Sequence, residues 1–372
     1  MNEKPIHQQT FLQGTAVLAM ATVLVKLMGF LFKVPLNNII GDTGFGYFNT
    51  AYDVYNVLLM ISTTGLPVAM SRMISEAKTL GNFAQIRRIY KTSLAAFLTI
   101  GIVGTLGMLI FCKPLSVMVT TNENSWAAIA ALAPCVLLIC LVSAYRGFFQ
   151  GQSDMTPTSV SQIFEALVRL IVGLGLAWLV MKLTGQAYVQ KNNITLAAGE
   201  SVMQYGDLTL AAGGGILGVT AGSLVSVVYL RGRFKKASGV LAQSGGAVKT
   251  GRSTMKELLA IAIPITLGSA GLQIINLFDT MVYMRRLTGA LGWTDALADS
   301  AKGVYNFCQT VFALPCSFIP TITIAIIPAI TAAITRADLK EARQTEESAV
   351  RTMGLIAMPC AAGRFVMAEP VI

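Results

Sequence analysis

The chain holds a single histidine, His7, in a polar N-terminal tail. Histidine-based metal ligation and His-centred acid–base catalysis therefore have almost nothing to build on. Its six cysteines are Cys112, Cys135, Cys140, Cys308, Cys316 and Cys360, all in or at the ends of apolar runs. No two of them form a CxxC pair, which argues against zinc or redox chemistry and for packing. A phosphate-binding loop is also missing, because the Gly-rich stretch 245–251 lacks the GK[ST] ending. No nucleophile–base pair is visible. The expectation is a protein that is not an enzyme, uses no cofactor or metal, and draws on an ion gradient or membrane potential rather than ATP.

Charge is scarce as well. Only 12% of the 372 residues are charged and 54% are hydrophobic, against about 25% charged in soluble domains. Nine stretches are long enough to cross a bilayer, which needs about 20 apolar residues each. They are roughly 11–34, 46–71, 90–112, 126–149, 157–181, 210–230, 258–284, 303–333 and 350–368. Lipid offers no partner to unpaired backbone groups, so the spans are read as helices and the fold as an all-α polytopic bundle. Ala19-Met20-Ala21 resembles a signal-cleavage site, but the apolar run continues to Val34 and eight more follow.

The net charge of +10 is mostly a topology signal. With Lys4 of the tail, the segments after even-numbered spans hold 18 Lys and Arg, and those after odd-numbered spans hold 7. The positive-inside rule puts the N-terminus and the even loops in the cytoplasm. The basic loop Arg231–Lys256 has few interleaved aromatics, so nucleic acid is not the expected partner.

That loop is rich in Gly, Ser and Lys and reads as a flexible connection. The expected organisation is a six-helix lobe over 1–230, a basic cytoplasmic linker over 231–257, and the first three helices of an incomplete second lobe over 258–372. The pattern restarts after the linker. Phe32-Lys33 resembles Phe278-Asp279, and Gly46-Tyr47-Phe48-Asn49 resembles Gly303-Val304-Tyr305-Asn306. An even number of helices between copies gives a parallel repeat about an axis along the membrane normal. On that reading at least three helices are missing from this chain. Gly214, Gly218 and Gly222 form one smooth helix face that permits close packing. Pro67, Pro315, Pro320 and Pro328 can kink their helices. The polar stretch 182–209 reads as an outer loop; its sequon at Asn193 is too short a pattern to use.

Few charges fall inside the spans: Lys26, Asp53, Glu165, Arg169, Asp279 and Arg364, with Lys33 at the outer edge of the first. An ionisable residue in a span is a functional candidate by default. Lys26 and Lys33 are seven residues apart and share nearly one helix face. Lys26 and Arg169 both fall near mid-membrane, about 20 Å from the inner edge. Arg146 stands at the cytoplasmic end of the fourth span. Two readings of the pair Glu165 and Arg169 stand side by side. It is either a structural i,i+4 ion pair, or part of a cationic cavity with Lys26 that grips an anionic headgroup. Asp53 and Asp279 balance the cations or carry a coupling proton or monovalent cation.

Three segments resemble a known family: 29–36 with Gly41 and Gly44–Gly46, 64–72, and most specifically 146–157 continuing to Glu165 and Arg169. They are similar to the polysaccharide-biosynthesis flippases of the stage V sporulation protein B type. Those belong to the multidrug/oligosaccharidyl-lipid/polysaccharide (MATE-like) exporter superfamily. The resemblance implies a two-lobe helical bundle around a central cavity and alternating access. It also implies an undecaprenyl-diphosphate-linked oligosaccharide or peptidoglycan precursor as cargo, in the cytoplasmic membrane. Lys26 and Lys33 stand where related lipid II flippases carry essential arginines. Lys26, Lys33, Arg146, Glu165 and Arg169 are then the expected substrate-binding residues, with Asp53 and Asp279 as ion-coupling candidates. Two alternatives stay open: an ion-coupled multidrug/cation antiporter of the same fold, and a non-transporting scaffold that binds envelope or spore-wall biosynthesis proteins.

Overall fold

A computed structural model describes residues 11–192, 201–237, 248–316 and 339–366. Within them the chain is helical, with no strand. The helices are α1 (Phe11–Met60), α2 (Leu66–Thr79), α3 (Phe83–Ile110), α4 (Cys112–Thr120), α5 (Trp126–Gly151), α6 (Thr156–Lys191), α7 (Leu208–Ala237), α8 (Gly251–Arg285), α9 (Asp295–Cys316) and α10 (Leu339–Val366). Six stretches among the described residues are long and apolar enough to cross a membrane. The first, Met20–Met60, overlaps the first two expected spans. The eighth expected span runs beyond the described residues. The sequon, Pro320, Pro328 and the middle of the basic linker lie outside them too.

The sequence suggests a loop over 35–45, yet helix continues to both sides of Gly41. At Gly41 the backbone turns through φ 67° and ψ 175°, a region essentially reserved for glycine. The two arms of α1 fold back as a hairpin. The rings of Phe32 and Phe48 lie 5.8 Å apart, where a straight helix would separate them by about 24 Å. Phe32, Leu36, Ile40, Phe45 and Phe48 are buried in that hairpin and anchor the main core with α5. The second arm continues through a π-helical turn, Ile61–Gly65, into α2.

Helix also extends where loops were expected. α6 runs on to Lys191, through the first third of the expected outer loop, and the expected linker is helical at both described ends. Arg231, Arg233, Lys235 and Lys236 occupy the last turns of α7, where cations complement the helix dipole.

The glycine face of α7 does what its spacing predicts. A Cβ at Gly218 would strike Gly173, and one at Gly222 would meet the carbonyl of Glu165. α6 and α7 therefore pack backbone to backbone along the segment that carries Glu165 and Arg169.

α8 and α9 lie against this bundle. Near the Gly41 end, the second arm of α1 crosses α9 at two glycines. A Cβ on Gly46 would strike the carbonyl of Asp299, and one on Gly303 would strike the carbonyl of Asp42. Gly303 follows Gly46 by 257 positions, and Asp299 follows Asp42 by the same 257. Residue i touching j′ while j touches i′ is the mark of a local two-fold axis. The next layer repeats it: Phe45 packs on Phe307 at 6.2 Å between rings, and Lys302 reaches Thr50, where Lys302 follows Phe45 and Phe307 follows Thr50 by the same 257 positions. The backbone relation is two-fold, while the chemistry on its two sides differs.

Candidate functional site

The charged residues of the spans converge on the space between α1, α6 and α9. Glu165 on α6 is the hub of one group. Its Oε2 accepts from Arg146 Nη2 at 3.0 Å, and its Oε1 from Arg169 Nη2 at 3.4 Å. Arg146 donates through Nε to Ser161 Oγ at 3.0 Å. Sequence reasoning offers the i,i+4 partner alone. The structure adds Arg146, brought across from α5 by the tight α5–α6 turn. Asp154 accepts from the Thr156 amide there, and Pro157 starts the helix.

Glu165 thus holds two guanidinium groups. Arg169 keeps a buried Nε with no hydrogen-bond partner, and its electrostatic neighbours are Tyr52, Tyr55, Glu165 and Cys135. Behind it runs a buried polar chain. Tyr55 Oη lies 3.4 Å from Cys135 Sγ, which lies 3.3 Å from Ser223 Oγ. This gives Cys135 a polar contact beyond the packing role expected of it.

The second group is on α1 and α9. Lys33 donates to Thr310 Oγ1 at 3.0 Å, and the charges of Arg169, Asp53 and Lys26 act on it. It is therefore part of the interior cluster rather than an edge residue, because α1 continues well past the expected span end. Asp53 meets Lys302 Nζ at 2.9 Å. Lys302 is wholly buried and also donates to Thr50 Oγ1 at 2.7 Å.

Lys26 is exposed and has no partner among the described residues. Asp279 is likewise exposed, on α8. The structure therefore draws Lys33, Arg146, Glu165, Arg169 and Asp53 together, sets Lys26 at the margin and leaves Asp279 outside. The side chain of Arg364 lies outside the described residues.

Lys302 and Asp299 are functional-looking residues that sequence reasoning missed. Both sit just before the apolar run that starts at 303, so both count as loop charges in a span-by-span inventory. The repeat was the available signal, since it aligns Lys302 with Phe45 and Asp299 with Asp42.

Four interior cations, Lys33, Arg146, Arg169 and Lys302, face two carboxylates, Asp53 and Glu165, leaving a surplus of two positive charges, with Lys26 at the margin. Such a surplus in a low-dielectric setting attracts anions strongly. Among the described residues no cluster of His, Cys, Asp or Glu suited to a metal is present.

The architecture is that of a MATE-type transporter fold. It is similar to the inward-facing conformation of a multidrug resistance MATE family transporter of the MOP superfamily. The TM-score is 0.67 at 14% identity, covering 96% of this chain and 74% of that one. The chain belongs to the polysaccharide biosynthesis protein family, which it matches over residues 11–334, and it is a multi-pass membrane protein. It is 25% identical to Stage V sporulation protein B of Bacillus subtilis (strain 168), over 92% of this chain and 62% of that protein. It is 24% identical to Lipid II flippase MurJ of the same organism, over 96% of this chain and 64% of that protein. The chain thus spans a little under two thirds of the length of these relatives.

Proposed function

We propose that the chain is part of a flippase that moves a lipid carrying a diphosphate-linked oligosaccharide or peptidoglycan precursor across the cytoplasmic membrane by alternating access. One observation carries the reading: the surplus of cations between α1, α6 and α9, with Arg169 holding a free Nε. A diphosphate offers acceptor oxygens that match a guanidinium fork and the lysine point charges. Lys33 and Arg169 contact the diphosphate, Lys26 draws it in from the margin, and Glu165 orients Arg169 and Arg146. The N-terminus lies in the cytoplasm, which makes the Gly41 end the outer one. The organisation is a first lobe over 1–230, a linker over 231–257 and a second-lobe portion over 258–372.

The cation antiporter reading loses support from the same geometry. Asp53 is paired with Lys302 and Asp279 is exposed, so neither is a free interior carboxylate. The test is translocation of fluorescent lipid-diphosphate sugar in vesicles containing the protein. Lys33→Ala and Arg169→Ala are expected to abolish it. Unchanged rates in both variants would sink the assignment.

A further inference from the structure

Asp299 stands in the second turn of α9, at the Gly41 end, ahead of the apolar run that begins at 303. It is fully buried, at 0% exposure. Its Oδ2 accepts from Asn122 Nδ2 at 2.8 Å, across the seam between α9 and the α4–α5 turn. Its Oδ1 is buried with no hydrogen-bond partner. An ionised carboxylate offers about four lone-pair sites. This one has one well-formed bond, from Asn122, and a weaker hydrogen-bonding contribution from Asn124, an expensive arrangement for a buried anion. Its own backbone carbonyl abuts Gly46 of α1, so the side chain lies beside the crossing that joins α9 to the rest of the bundle.

The surroundings offset the charge only in part. On α9, Lys302 is committed to Asp53 and Thr50, and Asp295 is a like charge. From α1 comes Tyr47, whose phenol lies within reach of the Asp299 charge; the Asp53 carboxylate is held by Lys302, and Asp42 accepts from Asn37 at 3.1 Å. The α4–α5 turn supplies Asn122 and Asn124, both neutral. From α8 comes Tyr283. Burial pushes the Asp299 carboxyl up from its ordinary 3.8 to about 6, against the opposing pull of Asn122 and Lys302.

We propose that Asp299 is a proton-binding latch: protonated, it holds α9 against α1 and the α4–α5 turn, and ionised, it favours an open, hydrated seam at the Gly41 end. The proposal rests on the alternating-access part of the proposed function and on nothing about its cargo. The sign follows from linkage. The closed-state carboxyl titrates higher than the water-exposed one, so the proton's support for closure is full below 3.8 and is lost as pH rises through about 6. Between pH 8 and pH 5 the closed-to-open ratio should rise about tenfold.

The test uses the full chain in lipid nanodiscs, without cargo, in a background with the native cysteines replaced. Spin labels go on Met118→Cys of α4 and Leu297→Cys of α9, both exposed positions. Double electron–electron resonance then reads the distance distribution from pH 8 to pH 5. The short-distance population is expected to grow about tenfold relative to the long one, to stay high and flat in Asp299→Asn, and to remain pH-dependent in Asp299→Glu. A flat wild-type profile overturns the proposal, with no need for any variant to fold. So does a pH response of wild-type size in Asp299→Asn. Because no cargo is present, loss of lipid translocation with this response intact counts against the cargo reading alone.

Discussion

Lys302 gives the sharpest test of how the two halves of the seam are held. Its side chain is wholly buried, and its ammonium sits 2.9 Å from Asp53, whose side chain is 23% exposed. Removing one partner of a buried pair strands the other and costs about 3–5 kcal/mol. The two single variants should differ. Asp53→Asn leaves an ammonium with no access to water and Thr50 as its hydrogen-bond partner, which belongs near the top of that range, about 5 kcal/mol. Lys302→Met leaves a carboxylate that still reaches solvent, so the loss falls near about 3 kcal/mol. The double variant removes both charges and should lie within about 1 kcal/mol of wild type. SDS unfolding of the purified protein, followed by the fluorescence of Trp126, Trp178 and Trp293, measures all four corners of this cycle. Additive losses, or a Lys302→Met variant weaker than Asp53→Asn, would refute the reasoning.

Other expectations follow from single contacts. Gly303→Ala drives a Cβ into the Asp42 carbonyl and should destabilise the α1–α9 crossing by about 1–3 kcal/mol, read in the same unfolding assay. Gly41→Ala must adopt a backbone conformation reserved for glycine and should lose about 1–3 kcal/mol, with Gly81→Ala, at the plain αL φ of 67°, losing less. Glu165→Gln leaves two guanidinium groups without their shared counter-charge and should cost about 3 kcal/mol. Adding Arg146→Gln should recover part of that loss in thermal unfolding, since one stranded cation is then gone.

The helical bundle was legible because its signals are strong and local. Long apolar runs, the glycine face of α7 and the span start at Pro157 each dictate their own structure. The bounds failed where chemistry is permissive: α1 passes Pro35 and needs only Gly41 to reverse. The site was half legible. Glu165 and Arg169 announce themselves by lying four residues apart in apolar sequence. Arg146 joins them only because the α5–α6 turn is tight. Lys302 and Asp299 were hidden because they precede an apolar run, and their burial comes from a glycine crossing between segments about 250 positions apart.

The central claim is that the interior cations recognise a diphosphate. The direct measurement is native mass spectrometry of the purified protein with equimolar undecaprenyl diphosphate and undecaprenol, which share a tail and differ in headgroup. Charge-assisted hydrogen bonds contribute roughly 1.5–3 kcal/mol each, so the wild type should prefer the diphosphate by at least about tenfold. Lys33→Ala/Arg169→Ala should bind the two lipids about equally. Equal binding by the wild type, or an undiminished preference in the double variant, would contradict the account.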